Sequence, residues 1–125
     1  MLHSQLTGQI IKSYYKVYNE LGYGFLEKIY EKAMYVELKK LGLKCTTQFP
    51  IKVYYNEICV GKYYADLLVD KKVILELKAT ERLCREHELQ LINYLKATNI
   101  EIGLLLNFGK EPEFKRKIYS NKNSQ

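Results

Sequence analysis

The sequence predicts an α/β sandwich: a central mixed sheet of about four strands flanked by helices, in the order α-α-β-β-β-α-β. Three observations lead to this expectation. Apolar residues recur at helical steps up to Gly42, β-branched and aromatic residues dominate three runs between 44 and 78, and a further helical pattern precedes an apolar run at 101–108. At 125 residues the chain has room for one core and not for two, so a single domain over 1–125 is expected.

Ile10, Ile11, Tyr14, Val17, Tyr18 and Leu21 describe an amphipathic helix from about residue 5 to 21, ended by Gly22-Tyr23-Gly24. Leu26, Ile29, Tyr30, Ala33, Met34, Leu38 and Leu41 repeat the spacing, with Gly42 as the C-terminal cap. Residues 44–55 and 58–69 read as strands meeting at Asn56-Glu57, a hairpin-like turn. Pro50 implies an edge or a bulge in the first of them. Asp70, Lys71 and Lys72 turn the chain into a third strand, "VILELK", in meander order. Thr80 is the expected N-cap of a helix reaching Thr98, and "EIGLLLNF" at 101–108 reads as a buried strand. The remainder, about 110–125, reads as a basic tail expected to fray.

A net charge of +6 favours an anionic partner, although the basic residues are spread out and a solvated surface accounts for most of them. No apolar run approaches the roughly 18 residues of a membrane span, and the first residues lack the pattern of a signal peptide, so a cytoplasmic protein without a membrane partner is expected. Cys45, Cys59 and Cys84 are odd in number and widely spaced, and read as reduced core residues. "GYGFLE" follows a helix and lacks the third glycine of a dinucleotide fingerprint. Neither a phosphate-cradling Gly-Lys-Ser/Thr loop nor a Ser or Cys nucleophile in a recognisable setting occurs.

Three charges break the strand pattern. Side chains alternate across a strand, so Ile74, Glu76 and Lys78 share one face while Val73, Leu75 and Leu77 take the other. In the preceding strand Ala65, Leu67 and Val69 are expected on the core side, with Tyr64, Asp66 and Leu68 opposite. Antiparallel pairing then sets Asp66 beside Glu76. Two adjacent carboxylates call for a cation, and few-carboxylate oxygen sites suit Mg²⁺ or Mn²⁺. Lys78 beside them suits phosphodiester hydrolysis, since an ammonium holds an attacking water or offsets charge on a phosphate. The plainer alternative is an exposed sheet face with a cross-strand ion pair.

Asp66 with Glu76-x-Lys78 resembles the PD-(D/E)XK nuclease superfamily, and "GFLEKIY" at 24–30 resembles the Gly-x-x-Glu-x-x-Tyr signature of its GxxExxY family. The resemblance runs from about residue 4 to 109 and includes "ADLLV", "VILELKA" and "QLINYLKATNIEIGLLLNFG". It implies a restriction-endonuclease-like sandwich with Asp66, Glu76 and the Leu77 carbonyl as Mg²⁺ ligands and Lys78 as the catalytic lysine. Glu27 resembles the helix glutamate that touches the metal or holds its water, and Gln90-x-x-x-Tyr94 resembles the Gln/Tyr motif following the Glu-x-Lys strand. Ala65 departs from the superfamily by standing where its proline precedes the aspartate.

Helical spacing sets Glu27 with Tyr30, and Gln90 with Tyr94, on common faces. On spacing alone, each of these residues also suits an ordinary surface or interior position. His87 shares the second face and is assigned no catalytic role, and none of the twelve tyrosines is assigned to base contacts. The expectation is a Mg²⁺-dependent nuclease acting on DNA or RNA, with Mn²⁺ as substitute. A catalytically silent nucleic-acid-binding or interaction module and a hydrolase of smaller phosphorylated compounds are the alternatives. A homodimer or a partner protein would supply specificity.

Overall fold

The computed structural model describes residues 2–120. Its elements are α1 (Ser4–Leu21), α2 (Glu27–Lys40), β1 (Cys45–Tyr55), β2 (Ile58–Val69), β3 (Val73–Lys78), α3 (Arg85–Lys96), β4 (Ile102–Phe108) and β5 (Pro112–Ile118). The strands lie side by side in chain order. Neighbours are antiparallel except β3 and β4, which α3 joins by a crossover and which therefore run parallel. The expected mixed sheet flanked by helices is present.

Helices cover both faces of this sheet. On one, Tyr14 of α1 and Tyr30, Met34 and Leu38 of α2 pack on Leu67, Leu75, Leu77 and Leu104. On the other, Leu91, Tyr94 and Leu95 of α3 pack on Leu68, Ile74 and Leu105. Strand β4 is buried along its whole length, as a strand covered on both sides must be, which explains its unbroken apolar run. Leu68 and Ile74, expected opposite the core side, are buried as well, because α3 lies over them.

A fifth strand occupies residues 112–118, where a fraying tail was expected. Phe114 packs edge-on against Tyr14 and Tyr15, the Glu113 carboxylate accepts the Leu83 N–H at 3.1 Å, and Lys117 pairs with Glu88 at 2.5 Å. Charged residues on the half-exposed edge strand obscured these anchors. The rest of that tail, 121–125, lies outside the described residues.

Helix α3 begins at Arg85 rather than beside Thr80. The buried Asn107 side chain grips Thr80, accepting its N–H at 3.0 Å and donating to its carbonyl at 2.9 Å, which commits that backbone to a bridge with β4. Cys84 caps the helix instead, its N–H donating to His87 Nδ1 at 3.2 Å. The cysteines are free, but Cys59 and Cys84 are exposed and Cys45 is half-buried, so they are not the core residues expected. No helix among the described residues is long and apolar enough to cross a membrane.

The β1–β2 hairpin reaches beyond the sheet. Its ladder runs from Cys45 opposite Val69 to Tyr55 opposite Ile58, whereas β2 pairs with β3 only over Leu67–Val69. Positive φ at both Asn56 (50°) and Glu57 (67°) closes the tip as a type I′ turn, whose twist suits a two-residue hairpin loop. Near its base, at Gln48 (φ 50°) and Asp66, the arm turns over. Leu67 faces α1 and α2, whereas Ala65 faces α3.

Candidate active site

Asp66 and Glu76 meet where β2 and β3 part. After Leu67 opposite Leu75 the backbone ladder stops, and side chains replace it. The Asp66 N–H donates to Glu76 Oε2 at 2.8 Å, and the Leu77 N–H donates to Asp66 Oδ2 at 2.8 Å. Each strand thus satisfies the other's backbone with a carboxylate, one oxygen of each being used. This reciprocal clasp holds both carboxyl groups at the fork.

The electrostatics are those of crowded acids. Glu76 is 5% exposed, and burial, reinforced by the Asp66 charge, pushes its carboxyl up to about 8 against the pull of the Asp66 N–H and Lys78. Burial raises Asp66 as well; the Leu77 N–H opposes it, and the charges of Glu31 and Glu27 add to it. Lys78, half-buried at the end of β3, favours the ionised form of both. Opposite Lys78 in the parallel ladder stands Asn107, whose grip on Thr80 fixes the backbone just beyond the lysine.

Glu27 is the first residue of α2, where the helix dipole favours a carboxylate. Its exposed side chain acts on the titration of both strand acids but has no hydrogen bond to them. The turn before it depends on Tyr30, whose hydroxyl donates to the Gly22 carbonyl at 2.7 Å and accepts the Phe25 N–H at 3.2 Å. Gly24, at φ 109°, supplies a conformation that side chains rarely adopt. The glycine and tyrosine of Gly24-x-x-Glu27-x-x-Tyr30 therefore set where α2 starts, and so where Glu27 stands.

On the opposite face, Tyr94 is 5% exposed, and burial followed by the charges of Glu76 and Asp66 pushes its hydroxyl up to about 12. Gln90, one turn earlier, is half-buried in a cleft that it shares with Tyr94 and makes no hydrogen bond to either acid. Glu31 escaped the sequence reading. It is 7% exposed, acts on Asp66 ahead of Glu27, and accepts a hydrogen bond from Gln48 at 3.0 Å. Its position four residues after Glu27, on the same helix face, was the available signal.

Among the described residues no group of three or more His, Cys, Asp or Glu is gathered so as to hold a metal ion. The chemistry of the fork nonetheless fits a hard divalent cation completed by water. Burial resists the charge of both carboxylates, and the Asp66 charge adds to it at Glu76, a cost that a cation between them relieves, and Mg²⁺ is commonly bound by only one or two carboxylates.

The model of the PD-(D/E)XK nuclease superfamily matches residues 4–117. Among solved structures, the crystal structure of SSO0001 aligns with a TM-score of 0.56 at 16% identity, over 78% of this chain and 52% of that one, so this chain spans about half of that protein. At that identity the likeness concerns the fold alone. No curated protein matches the chain significantly in sequence.

Proposed function

This chain belongs to the PD-(D/E)XK nuclease superfamily, and from that membership we propose that it is a Mg²⁺-dependent nuclease hydrolysing phosphodiester bonds of DNA or RNA. The observation that carries the proposal is the carboxylate clasp of Asp66 and Glu76 at the strand fork, with Lys78 beside it. Asp66 and Glu76 would hold the metal, and Mn²⁺ would substitute. The Leu77 carbonyl joins them, since a strand residue's C=O points to the same side as its N–H, which here faces Asp66. The chemistry supplied by bound Mg²⁺ is polarisation of the phosphate and a lower pKa for water.

Lys78 holds the attacking water and offsets charge that builds on the phosphate. Glu27, at the rim, orients that water or adds a ligand. Tyr94 and Gln90 close the pocket from α3. The motif Gly24-x-x-Glu27-x-x-Tyr30 supports a place in the GxxExxY family. Nucleic acid is the partner in this reading, and the cytoplasm, in keeping with free cysteines, is the compartment. A homodimer or a specificity-giving partner also belongs to it, because β1 leaves one sheet edge open.

Two measurements test the proposal. Calorimetric titration with Mn²⁺ gives saturable binding to the wild type and none to Asp66→Ala. Incubation with single-stranded, duplex and branched DNA and with RNA in Mg²⁺ or Mn²⁺ gives cleavage that Glu76→Ala and Lys78→Ala each slow on the order of a hundredfold or more. Cleavage indifferent to both substitutions removes the assignment. Salt-sensitive binding without metal-dependent turnover identifies a silent binding module instead, and activity on model diesters but not on polymers identifies a small-molecule hydrolase.

A further inference from the structure

Beside the carboxylate fork, α3 and the β1–β2 arm enclose a cleft of about 660 Å³. Tyr63 and Tyr54 of the arm and Tyr94 of α3 line it, with Lys52, Lys96 and Glu86 among the charged residues. Tyr63 is 50% exposed and Tyr54 60%, and the Tyr63 ring lies 5.7 Å from that of Tyr94, tilted at 45°. These rings offer faces to the cleft that the protein itself does not fill. We propose that this cleft binds a single-stranded segment of nucleic acid, its bases stacking on Tyr63 and Tyr54 and its phosphates drawn by Lys52 and Lys96. The proposal rests on the nuclease reading above and names the form of polymer presented to that site.

Three observations select this occupant. The first is the combination of aromatic faces with basic residues, which suits a chain of π-surfaces joined by anions. A duplex hides its base faces in its own stack and offers no ring to Tyr63. The second is the charge at the cleft walls. Lys52 of the arm and Lys96 of α3 both line the cleft, where they attract an anionic backbone.

The third is continuity with the acids. Tyr94 walls the cleft and feels the charges of Glu76 and Asp66, and Tyr63 precedes Asp66 by three residues on β2, roughly 10 Å along the strand. One extended strand can therefore touch the tyrosines and pass the fork. The apolar remainder of the cleft suits bases as it would suit a greasy peptide, but Lys52 and Lys96 at its walls favour the anion.

The test uses the full chain in EDTA, so that cleavage plays no part and a failure here is separate from a failure of the nuclease reading. Fluorescence anisotropy follows 5′-labelled dT and U oligomers and a matching DNA hairpin duplex. Expected are binding to the single strands at least about tenfold tighter than to the duplex and a loss of about tenfold or more for Tyr63→Ala. Tyr63→Phe retains the affinity, as does Tyr55→Ala at the arm tip outside the cleft. A preference between the dT and U oligomers decides which polymer the cleft takes. The chain has no tryptophan, so Tyr63→Trp provides a single reporter whose emission is quenched when a base stacks on it. Equal or tighter duplex binding, no detectable binding of either oligomer, or unquenched indole emission from Tyr63→Trp together with wild-type affinity in Tyr63→Ala overturns the proposal. Cleavage abolished in Asp66→Ala with single-strand affinity intact supports both readings separately.

Discussion

Glu76 stores a cost in the metal-free protein that its surroundings make measurable. Its carboxyl titrates at about 8 in the fold against an ordinary value of 4.5, because burial and Asp66 both resist its charge. Between those values the folded state keeps a proton that the unfolded chain has released, so stability falls as pH rises through the window, at no more than about 1.4 kcal/mol per pH unit for one proton. Above the folded value the loss is complete. Urea unfolding in EDTA should therefore show the wild type losing stability from pH 5 to pH 8, while Glu76→Gln shows a flatter profile and the greater stability at pH 8. Added Mn²⁺ should restore the wild type at pH 8 and leave the variant unmoved. A wild-type profile no steeper than that of Glu76→Gln contradicts this account. Such residues were legible in the sequence because they broke a pattern: Asp66 and Glu76 are acids where strand alternation and context ask for apolar side chains. Glu31 broke none, since a glutamate on an amphipathic helix is ordinary until the fold turns it inward.

Whole segments differ in the same way. The turn between α1 and α2 was readable as a break, from Gly22 and Gly24, but not as a device, because the Tyr30 hydroxyl that organises it acts across a loop whose path no periodicity encodes. Tyr30→Phe keeps the ring, which stacks on Phe108 with centroids 4.2 Å apart, and removes only the bonds to Gly22 and Phe25. It should cost about 1–3 kcal/mol, read as a lower urea midpoint, and slow any nuclease activity by letting the start of α2, and Glu27 with it, drift. An unchanged midpoint shows that water replaces the hydroxyl fully. The loop between β3 and α3 makes a parallel case. Thr80 looked like a cap by composition, but Asn107, far away in sequence, claims its backbone. Asn107→Asp replaces the amide donor to the Thr80 carbonyl with a carboxylate oxygen in a buried place, and should destabilise by about 2 kcal/mol or more, with the loss shrinking at acid pH as the carboxyl regains a proton. A midpoint insensitive to pH in that variant relative to wild type removes the assigned role.

At the scale of the molecule, the order of helices and strands was legible up to Phe108, because each of those elements carries either the period of a covered face or, as in β4, the unbroken apolar run of a strand covered on both sides. The edge strand β5 was not, since it is half-exposed and its basic residues look like a solvated tail. Yet β5 pairs with β4 along all seven of its residues. It also receives the Tyr14 hydroxyl, which donates to the Asn107 carbonyl at the end of β4 and accepts the Glu113 N–H at 3.0 Å. Burial raises the Tyr14 titration far above the range of an exposed tyrosine, so this hydroxyl stays neutral and bonded over the working pH range. Removing β5 exposes the backbone edge of β4, a strand otherwise buried throughout, strips partners from Tyr14 and Leu83, and leaves an apolar edge free to pair with other chains. A chain ending at Lys110 should therefore unfold without a cooperative transition or aggregate at micromolar concentration, whereas a mere basic tail would be lost with no change in the urea midpoint. Size-exclusion chromatography with circular dichroism across a urea series separates the outcomes. A monomeric, cooperatively folded truncation would assign β5 to the surface and return the core to the four preceding strands.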